Sequence, residues 1–202
     1  MVDAVPAKQS GHLARAYVIA TPDEMEAFGR ELGALLRPGD LVVLNGPLGA
    51  GKTTLTRGIG DVLGVRGPVT SPTFVLARTH PSLVGGASLV HVDAYRLGSA
   101  LEFDDLDIDF ARSVVIVEWG AGMLDGVAES WLDVAIDRPS GAGAGAVADS
   151  DGDDAAADGA AGDGAAADAA AASAAVDVAL DAAEPRRIRL TAHGPRWRPV
   201  VR

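Results

Sequence analysis

Residues 41–63 read LVVLNGPLGAGKTTLTRGIGDVL, and this stretch decides the fold. A short apolar run at 41–44 precedes a glycine-rich loop, and a helical pattern from 53 to about 63 follows it. Within the loop, residues 46–53 match the pattern GxxxxGK followed by Ser or Thr, which is typical of a phosphate-binding loop between a strand and a helix. The stretch therefore predicts an α/β protein that binds a nucleotide.

Each residue type in this loop serves phosphate binding. Gly46, Gly49 and Gly51 permit backbone conformations that other residues avoid, and they bring successive N–H groups close to phosphate oxygens. Lys52 places a positive charge on the β- and γ-phosphates, and Thr53 offers its hydroxyl to Mg²⁺ at the start of the helix. The predicted nucleotide-binding residues are Gly46, Gly49, Ala50, Gly51, Lys52, Thr53 and Thr54.

The scarcity of lysine bears on which base is bound. The chain has two lysines, Lys8 and Lys52, and neither lies in the Asn/Thr-Lys-x-Asp motif with which the familiar GTPases bind guanine. The sequence therefore favours ATP over GTP.

Two acidic residues directly follow apolar runs that predict strands. Glu118 follows VVIV at 114–117, and Asp93 follows SLVHV at 88–92. A P-loop enzyme needs a carboxylate at the end of a neighbouring strand to hold Mg²⁺ or to orient the attacking water. Both residues are candidates for that role, and the alternative for each is an acid that ends a strand in a turn.

The segment VTSPTF, residues 69–74, lies between the P-loop helix and the next predicted strands. P-loop switch proteins place a segment that responds to the γ-phosphate in this part of the chain. Ser71 and Thr73 are therefore candidates to donate to phosphate or to bind the metal, although a Ser-Pro-Thr sequence by itself is most often a simple turn.

Alternating strand and helix patterns predict a single α/β domain with a P-loop NTPase-like mixed β-sheet flanked by helices. Thr21 and Glu24 form a capping box that opens the first helix. The strands at 73–78 and 88–92 are expected to form an antiparallel hairpin. The predicted strands are 14–20, 41–44, 73–78, 88–92, 114–117, 131–136 and 187–191, and the predicted helices run from 21 to about 36 and from 53 to about 63.

One segment cannot contribute to the core. Residues 139–184 consist almost wholly of Ala, Gly and Asp, and their nine Asp and one Glu account for −10 of the net charge of −11. Such a composition buries too little apolar surface to offset an ordering entropy of roughly 1–2 kcal/mol per residue. The predicted divisions are a flexible N-terminus (1–13), a P-loop ATPase domain (14–138), a disordered insertion (139–184), a closing strand (185–195) and a solvated basic C-terminal tail (196–202).

Composition excludes several other classes of protein. There is no cysteine, which rules out disulfide and thiol chemistry. No apolar run approaches the roughly 18 residues that a bilayer crossing needs, and the first residues lack a signal-peptide pattern. We expect a cytoplasmic protein that does not contact a membrane.

Four strings, taken together, resemble one family. GPLGAGKTTLTRGIGDVLG, VTSPTFVL, LVHVDAYRL and VVIVEW occur in the order and approximate spacing of the TsaE (YjeE) ATPases, which serve the formation of threonylcarbamoyladenosine in bacterial tRNA. The motif HxDxYR at 91–96 and the pair Glu118-Trp119 are uncommon among other P-loop proteins. Two departures are the long insertion and Ala94, where Leu is common in the family.

The resemblance implies a small ATPase that joins the TsaB–TsaD pair and hydrolyses ATP so that this complex turns over repeatedly. It implies that Lys52 and Thr53 bind phosphate and Mg²⁺, that Glu118 completes the metal site, and that Asp93 is an essential acid near the γ-phosphate. The implied catalytic residues are thus Lys52, Asp93 and Glu118, the implied metal ligands Thr53 and Glu118, and the implied cofactors ATP and Mg²⁺. An indirect or weak contact of the basic C-terminus with tRNA stays open.

Other roles remain compatible with these motifs. Trp119 is expected to pack beside the site or a partner, or simply in the core, and His91 and Tyr95 are expected to pack or orient. A small-molecule kinase is the main alternative function, although the arginines in the middle of the chain occur singly and not as a lid cluster. A non-catalytic nucleotide switch is a third possibility, against which the two acids argue.

Overall fold

Strands and helices alternate through most of the chain, and the computed structural model describes residues 5–9, 12–122, 127–138 and 184–197. The strands are β1 (Val5–Gln9), β2 (His12–Ile19), β3 (Leu41–Asn45), β4 (Ala77–His80), β5 (Ser88–Asp93), β6 (Ser113–Glu118), β7 (Trp131–Asp137) and β8 (Arg186–His193). The helices are α1 (Pro22–Gly33), α2 (Lys52–Leu63) and α3 (Ala100–Asp104), and short 3₁₀ turns lie at Ala94–Arg96, Phe110–Arg112 and Pro195–Trp197.

The described strands form one mixed sheet in the order β1-β2-β8-β7-β3-β6-β5-β4. The strands β7, β3, β6 and β5 are parallel neighbours, while β4 at one edge and β8, β2 and β1 towards the other pair antiparallel. The carboxyl ends of β3, β5 and β6 therefore meet at one edge of the sheet, where open α/β sheets bind their ligands. The predicted mixed α/β fold is confirmed.

Both faces of the central sheet are covered. The face that carries Leu44 and Ile116 packs against α1 and α2 in one hydrophobic cluster. The opposite face carries Val43 and Val117, and Phe103 of α3 packs there in a second cluster. Burial on both sides explains why the central strands are continuous apolar runs without alternation.

The predicted capping box opens α1. The hydroxyl of Thr21 accepts from the Glu24 N–H at 3.2 Å, and the Glu24 carboxylate accepts from the Ala20 N–H at 2.7 Å. The helix ends at Gly33 and not near residue 36, because the next N–H groups, of Leu35 and Leu36, donate to carbonyls three residues back and not four.

Glycines let α1 and α2 approach closely. A Cβ added to Gly58 of α2 would lie 2.1 Å from the carbonyl oxygen of Glu26, and one added to Gly29 of α1 would lie 2.3 Å from that of Leu55. These contacts are with backbone atoms, which cannot rotate away. Since α2 begins at the P-loop, the close helix pair fixes the position of the loop relative to the sheet.

The strand predicted at 73–78 begins later than expected. The segment first makes a turn, in which the Val75 N–H donates to the Pro72 carbonyl at 2.9 Å, and Leu76 then adopts a φ of +64°. Only Ala77–His80 pairs with β5. The antiparallel hairpin is therefore present, but Ser71 and Thr73 lie in a loop before it.

The chain ends differ from the sequence prediction. Val5–Gln9 pairs antiparallel with β2 as an edge strand, where a flexible segment was expected. Arg196 and Trp197 were expected in a solvated tail, but Arg196 contacts Asp40 at 3.0 Å and Trp197 is only 1% exposed. The prediction of a solvated tail is wrong at these two positions, because Arg196 pairs with the buried carboxylate of Asp40 and Trp197 packs in the hydrophobic core. The predicted insertion lies outside the described residues, apart from Glu184.

None of the helices in the described ranges has the length and apolar character that a bilayer crossing requires.

Candidate functional site

The P-loop joins β3 to α2, and its path depends on glycine. Gly49 and Gly51 have φ values of +72° and +100°, in the left-handed region that favours glycine. A Cβ on Gly46 would lie 2.5 Å from the carbonyl oxygen of Ile136, so a side chain does not fit there. Gly51 is the N-cap residue of α2, which leaves the first N–H groups of that helix available to an anion.

Lys52 opens α2, and its side chain folds over the loop. Its Nζ donates to the carbonyl oxygens of Gly46 at 2.9 Å and of Pro47 at 3.1 Å. The same nitrogen lies 3.8 Å from the centre of the Trp119 ring, which is a cation–π contact. The ammonium group is thus held against the loop, close to where phosphate oxygens would bind.

Glu118 ends β6 and links two elements of the site. Its Oε1 accepts from the Thr53 hydroxyl at 3.3 Å and lies 2.8 Å from Nε2 of His91. The side chain of Glu118 is 5% exposed, and that of His91 is completely buried. The fold therefore brings together the two residues expected to bind the metal, which lie 65 positions apart in the chain.

Thr53 and Glu118 fit a Mg²⁺ ion that is shared with a nucleotide. Mg²⁺ prefers oxygen ligands, and one or two protein oxygens commonly hold it together with waters and phosphates. The described part of the chain contains no group of three or more His, Cys, Asp or Glu that could hold a metal ion. A hydroxyl and a carboxylate in mutual contact match the shared arrangement and not an all-protein metal site.

Asp93 ends β5 directly beside Glu118, and the two residues are paired in the register of β5 and β6. Asp93 is 2% exposed, and its Oδ1 accepts from the Tyr95 N–H at 3.0 Å. This contact opens the 3₁₀ turn Ala94–Arg96. Two carboxylates thus lie at neighbouring strand ends, but Asp93 does not line the cleft itself.

The segment VTSPTF (69–74), called the SPTF segment from here on, borders the P-loop and is held by two arginines. The hydroxyls of Ser71 and Thr73 lie 2.8 Å apart and face the same cleft as the loop. Arg78 donates to the Thr70 hydroxyl at 2.7 Å, and Arg96 donates to the Thr73 carbonyl at 2.6 Å. The turn after Asp93 is therefore tied to the segment that was predicted to respond to the γ-phosphate.

Most of the predicted nucleotide-binding residues line this one cleft. The exception in the loop is Gly46, whose carbonyl instead accepts from Lys52. The cleft is lined by Leu48, Gly49, Ala50, Gly51, Lys52, Thr53, Thr54, Ser71, Thr73, Phe74, Glu118 and Trp119.

Sequence reasoning missed two contacts of the site. Arg186, the first residue of β8, is 3% exposed and donates to the carbonyl of Gly49 at 3.4 Å. It was assigned to a basic chain end, and no local pattern distinguishes it from its neighbours. The bond from His91 to Glu118 was also missed. His91 and Asp93 are two residues apart on β5, which places these two side chains on the same face of the sheet.

Comparisons with known proteins agree with the motif resemblance. The family model described as "Threonylcarbamoyl adenosine biosynthesis protein TsaE" matches residues 19–143. A Streptomyces coelicolor protein named tRNA threonylcarbamoyladenosine biosynthesis protein TsaE is 60% identical over 120 residues, which are 58% of this chain and 81% of that protein. A protein of the same name from Mycobacterium tuberculosis H37Rv is 50% identical over 121 residues, which are 55% of this chain and 72% of that protein.

The similarity extends to a more distant relative and to a solved structure. The Bacillus subtilis protein of the same name is 35% identical over 120 residues, which are 58% of this chain and 73% of that protein. The crystal structure of Bacillus subtilis YdiB superposes with a TM-score of 0.58 at 23% identity and covers 96% of this chain and 94% of its own. At that identity the superposition supports the fold alone.

Proposed function

The chain belongs to the TsaE family of threonylcarbamoyl adenosine biosynthesis proteins, and from this premise we propose that it binds and hydrolyses Mg-ATP, acting with the TsaB–TsaD complex. The observation that carries the proposal is the contact between Thr53 and Glu118 beside the ammonium group of Lys52. A loop that only binds phosphate has no need of a carboxylate in contact with the P-loop hydroxyl. Mg-ATP hydrolysis does need one.

The side chains divide the work of hydrolysis among them. Lys52 exchanges its two carbonyl partners for oxygens of the β- and γ-phosphates, where its charge stabilises the transition state. Thr53 and Glu118 would hold Mg²⁺, which would supply positive charge to neutralise the phosphates. Asp93 lies at the neighbouring strand end behind the cleft lining, so its part in hydrolysis is to hold the turn Ala94–Arg96, which Arg96 ties to the segment beside the phosphates.

Two arginines support an ATPase over a metabolite kinase. A kinase on this fold would use arginines as a lid over the transferred phosphate. Arg78 and Arg96 instead hold the SPTF segment, through the hydroxyl of Thr70 and the carbonyl of Thr73. They shape the segment beside the γ-phosphate and are not free to close over an acceptor.

Exposed apolar side chains around the cleft support a protein partner. Leu48 and Phe74 line the cleft and are 72% and 73% exposed, and Tyr95, which contacts Trp119 edge to face at 5.8 Å, is 75% exposed. Exposed apolar groups that cluster at a site are typical of an interaction surface. The contacts of a partner that covers this rim would depend on whether nucleotide occupies the cleft, which suits the proposed role beside TsaB–TsaD.

The test measures ATP hydrolysis with and without TsaB–TsaD. We expect Lys52→Ala and Glu118→Ala to lower the stimulated rate by a factor of about 100 or more, because each removes a charge that acts on the phosphates. Glu31→Ala is the matched control, since it removes an exposed carboxylate from α1, away from the cleft. Circular dichroism and thermal unfolding check that each variant folds.

Three results would count against the proposal. Hydrolysis by both Lys52→Ala and Glu118→Ala at the wild-type rate would refute the assignment of the site. A wild-type rate that TsaB–TsaD leaves unchanged would refute the partner. Transfer of phosphate to a metabolite in a substrate screen would favour the kinase.

A further inference from the structure

His91 is a completely buried polar side chain on β5, which lies between β6 and the edge strand β4. His91 lies two residues before Asp93, and its Nε2 is 2.8 Å from Oε1 of Glu118. Its second ring nitrogen, Nδ1, has no hydrogen-bond partner among the described residues. The ring therefore makes a single polar contact there, and that contact is with the carboxylate proposed to bind the metal.

The chemistry of the two groups sets the direction of this bond. An ionised carboxylate can only accept, so Nε2 of His91 carries the hydrogen and donates. The ring lies on the face of the sheet that also carries Leu89 and Ile116 and packs against the α1–α2 helix pair. A buried nitrogen without a hydrogen-bond partner lowers the free energy of unfolding. The bond of the same ring to Glu118 offers a functional reason for a histidine at this position in spite of that loss.

Glu118 receives a second, longer bond from the P-loop. The Thr53 hydroxyl donates to the same Oε1 at 3.3 Å. A hydroxyl that binds a metal through its oxygen keeps its proton for this bond, but at 3.3 Å the bond is long, whereas the 2.8 Å bond from His91 does not depend on the P-loop. His91 would then be the group that keeps the carboxylate in place and leaves its other oxygen, Oε2, for the metal or its water.

We propose that His91 is a positioning residue that holds the Glu118 carboxylate in the orientation needed for Mg²⁺. The proposal rests on the function argued above, since it requires Mg²⁺ and nucleotide at the P-loop. Groups that orient a metal ligand through a hydrogen bond typically change metal affinity by 10- to 100-fold when removed. The role is distinct from catalysis, because His91 does not reach the cleft.

The experiment compares side chains that keep or lose the donor. His91→Leu removes it, His91→Gln places an amide N–H at a similar reach, and His91→Asn offers the same amide one methylene shorter. Calorimetry first measures the affinity for ADP without metal. The titration is then repeated at rising Mg²⁺ concentrations, and the concentration that gives half of the full change in ADP affinity is recorded. Thermal unfolding is recorded for every variant, and His91→Asn replaces His91→Leu if the latter does not fold.

We expect His91→Leu or His91→Asn to require roughly 10- to 100-fold more Mg²⁺, with ADP affinity in the absence of metal changed by less than about threefold. His91→Gln should stay within about threefold of the wild type. A folded His91→Leu or His91→Asn variant with wild-type Mg²⁺ dependence would overturn the inference, as would a His91→Gln variant as impaired as whichever of those two is used. A wild-type protein whose nucleotide affinity does not respond to Mg²⁺ would overturn the proposed function together with this inference, so the two failures are distinguishable.

Discussion

Replacing Gly58 with alanine tests the contact that sets the position of the P-loop helix. The added methyl would lie 2.1 Å from the carbonyl oxygen of Glu26 and 3.0 Å from the backbone nitrogen of Arg30, whereas ordinary contacts of a Cβ lie at 3.4–4 Å. Because both neighbours are backbone atoms, α1 and α2 must move apart by roughly 1 Å to admit it.

Two opposing effects set the size of the change. Overpacking of this kind costs about 1–3 kcal/mol. Alanine regains about 0.5–1 kcal/mol over glycine within a helix, because it loses less backbone entropy on folding. Because the clashing neighbours are backbone atoms, the upper part of the overpacking range, about 2–3 kcal/mol, applies. The net loss in the free energy of unfolding is then about 1–2.5 kcal/mol, which corresponds to a fall in Tm of roughly 2–10 °C for a domain of this size.

Urea denaturation and thermal unfolding measure the loss, with Gly86→Ala as the matched control. At Gly86 the added Cβ would lie 3.5 Å from the nearest atom, the Ser82 hydroxyl oxygen, so no clash arises. The variant Gly29→Ala adds a second check, since its methyl meets the same helix contact from the other side, 2.3 Å from the Leu55 carbonyl. Once the helices have separated to admit one methyl, a second methyl should cost less. The loss in the free energy of unfolding of the double variant should therefore be smaller than the sum of the two single losses by about 1 kcal/mol.

The reasoning fails if Gly58→Ala is as stable as the wild type or more stable. It also fails if the losses of Gly58→Ala and Gly29→Ala add without coupling, since separate causes would then be acting.

Two further predictions concern stability away from the cleft. Arg196→Leu leaves the Asp40 carboxylate, whose side chain is 7% exposed, without its ion pair, and should lower the free energy of unfolding by about 2–3 kcal/mol in urea; Arg189→Leu, which removes an ion pair with both partners about 60% exposed, should change it by less than about 1 kcal/mol. Burial lowers the pKa of His80 below the usual histidine value of 6.5, against a weaker opposing effect of its bond to the Arg66 carbonyl. The unfolded chain therefore takes up a proton first as the pH falls below 6.5, so Tm should drop towards about pH 5.5, and His80→Gln should show a smaller drop; equal drops in both proteins would contradict this.

The P-loop and its two flanking elements could be predicted well because their signals are local. Glycine at positions 49 and 51 reflects backbone angles of single residues, and the start of α2 follows the loop directly. The prediction of a strand at 73–78 was wrong about where the strand begins, for a local reason that the apolar pattern does not show. Pro72 and the left-handed Leu76 turn the backbone, and only the last part of the segment can pair with β5.

Contacts between distant residues could not be predicted in the same way. Asp40 and Arg196 lie 156 positions apart, and nothing near either residue indicates the other. The same applies to Arg186 and Gly49, which β8 brings together only because it pairs beside β7. A solvated basic chain end was a reasonable expectation from composition, and it was wrong at Arg186 and Arg196 because burial is a property of the folded sheet.

The residues proposed to bind phosphate were indicated by the sequence itself, since the chemistry of a phosphate-binding loop depends on neighbouring residue types and on the backbone freedom of glycine. The sequence also indicated that Asp93 and Glu118 end strands, because each follows an apolar run. Only the tertiary structure decided that these strands are parallel neighbours and that Thr53 and His91 share one oxygen of Glu118. The physical reason is that sheet register and helix packing, and not separation along the chain, set the distances between side chains that act together.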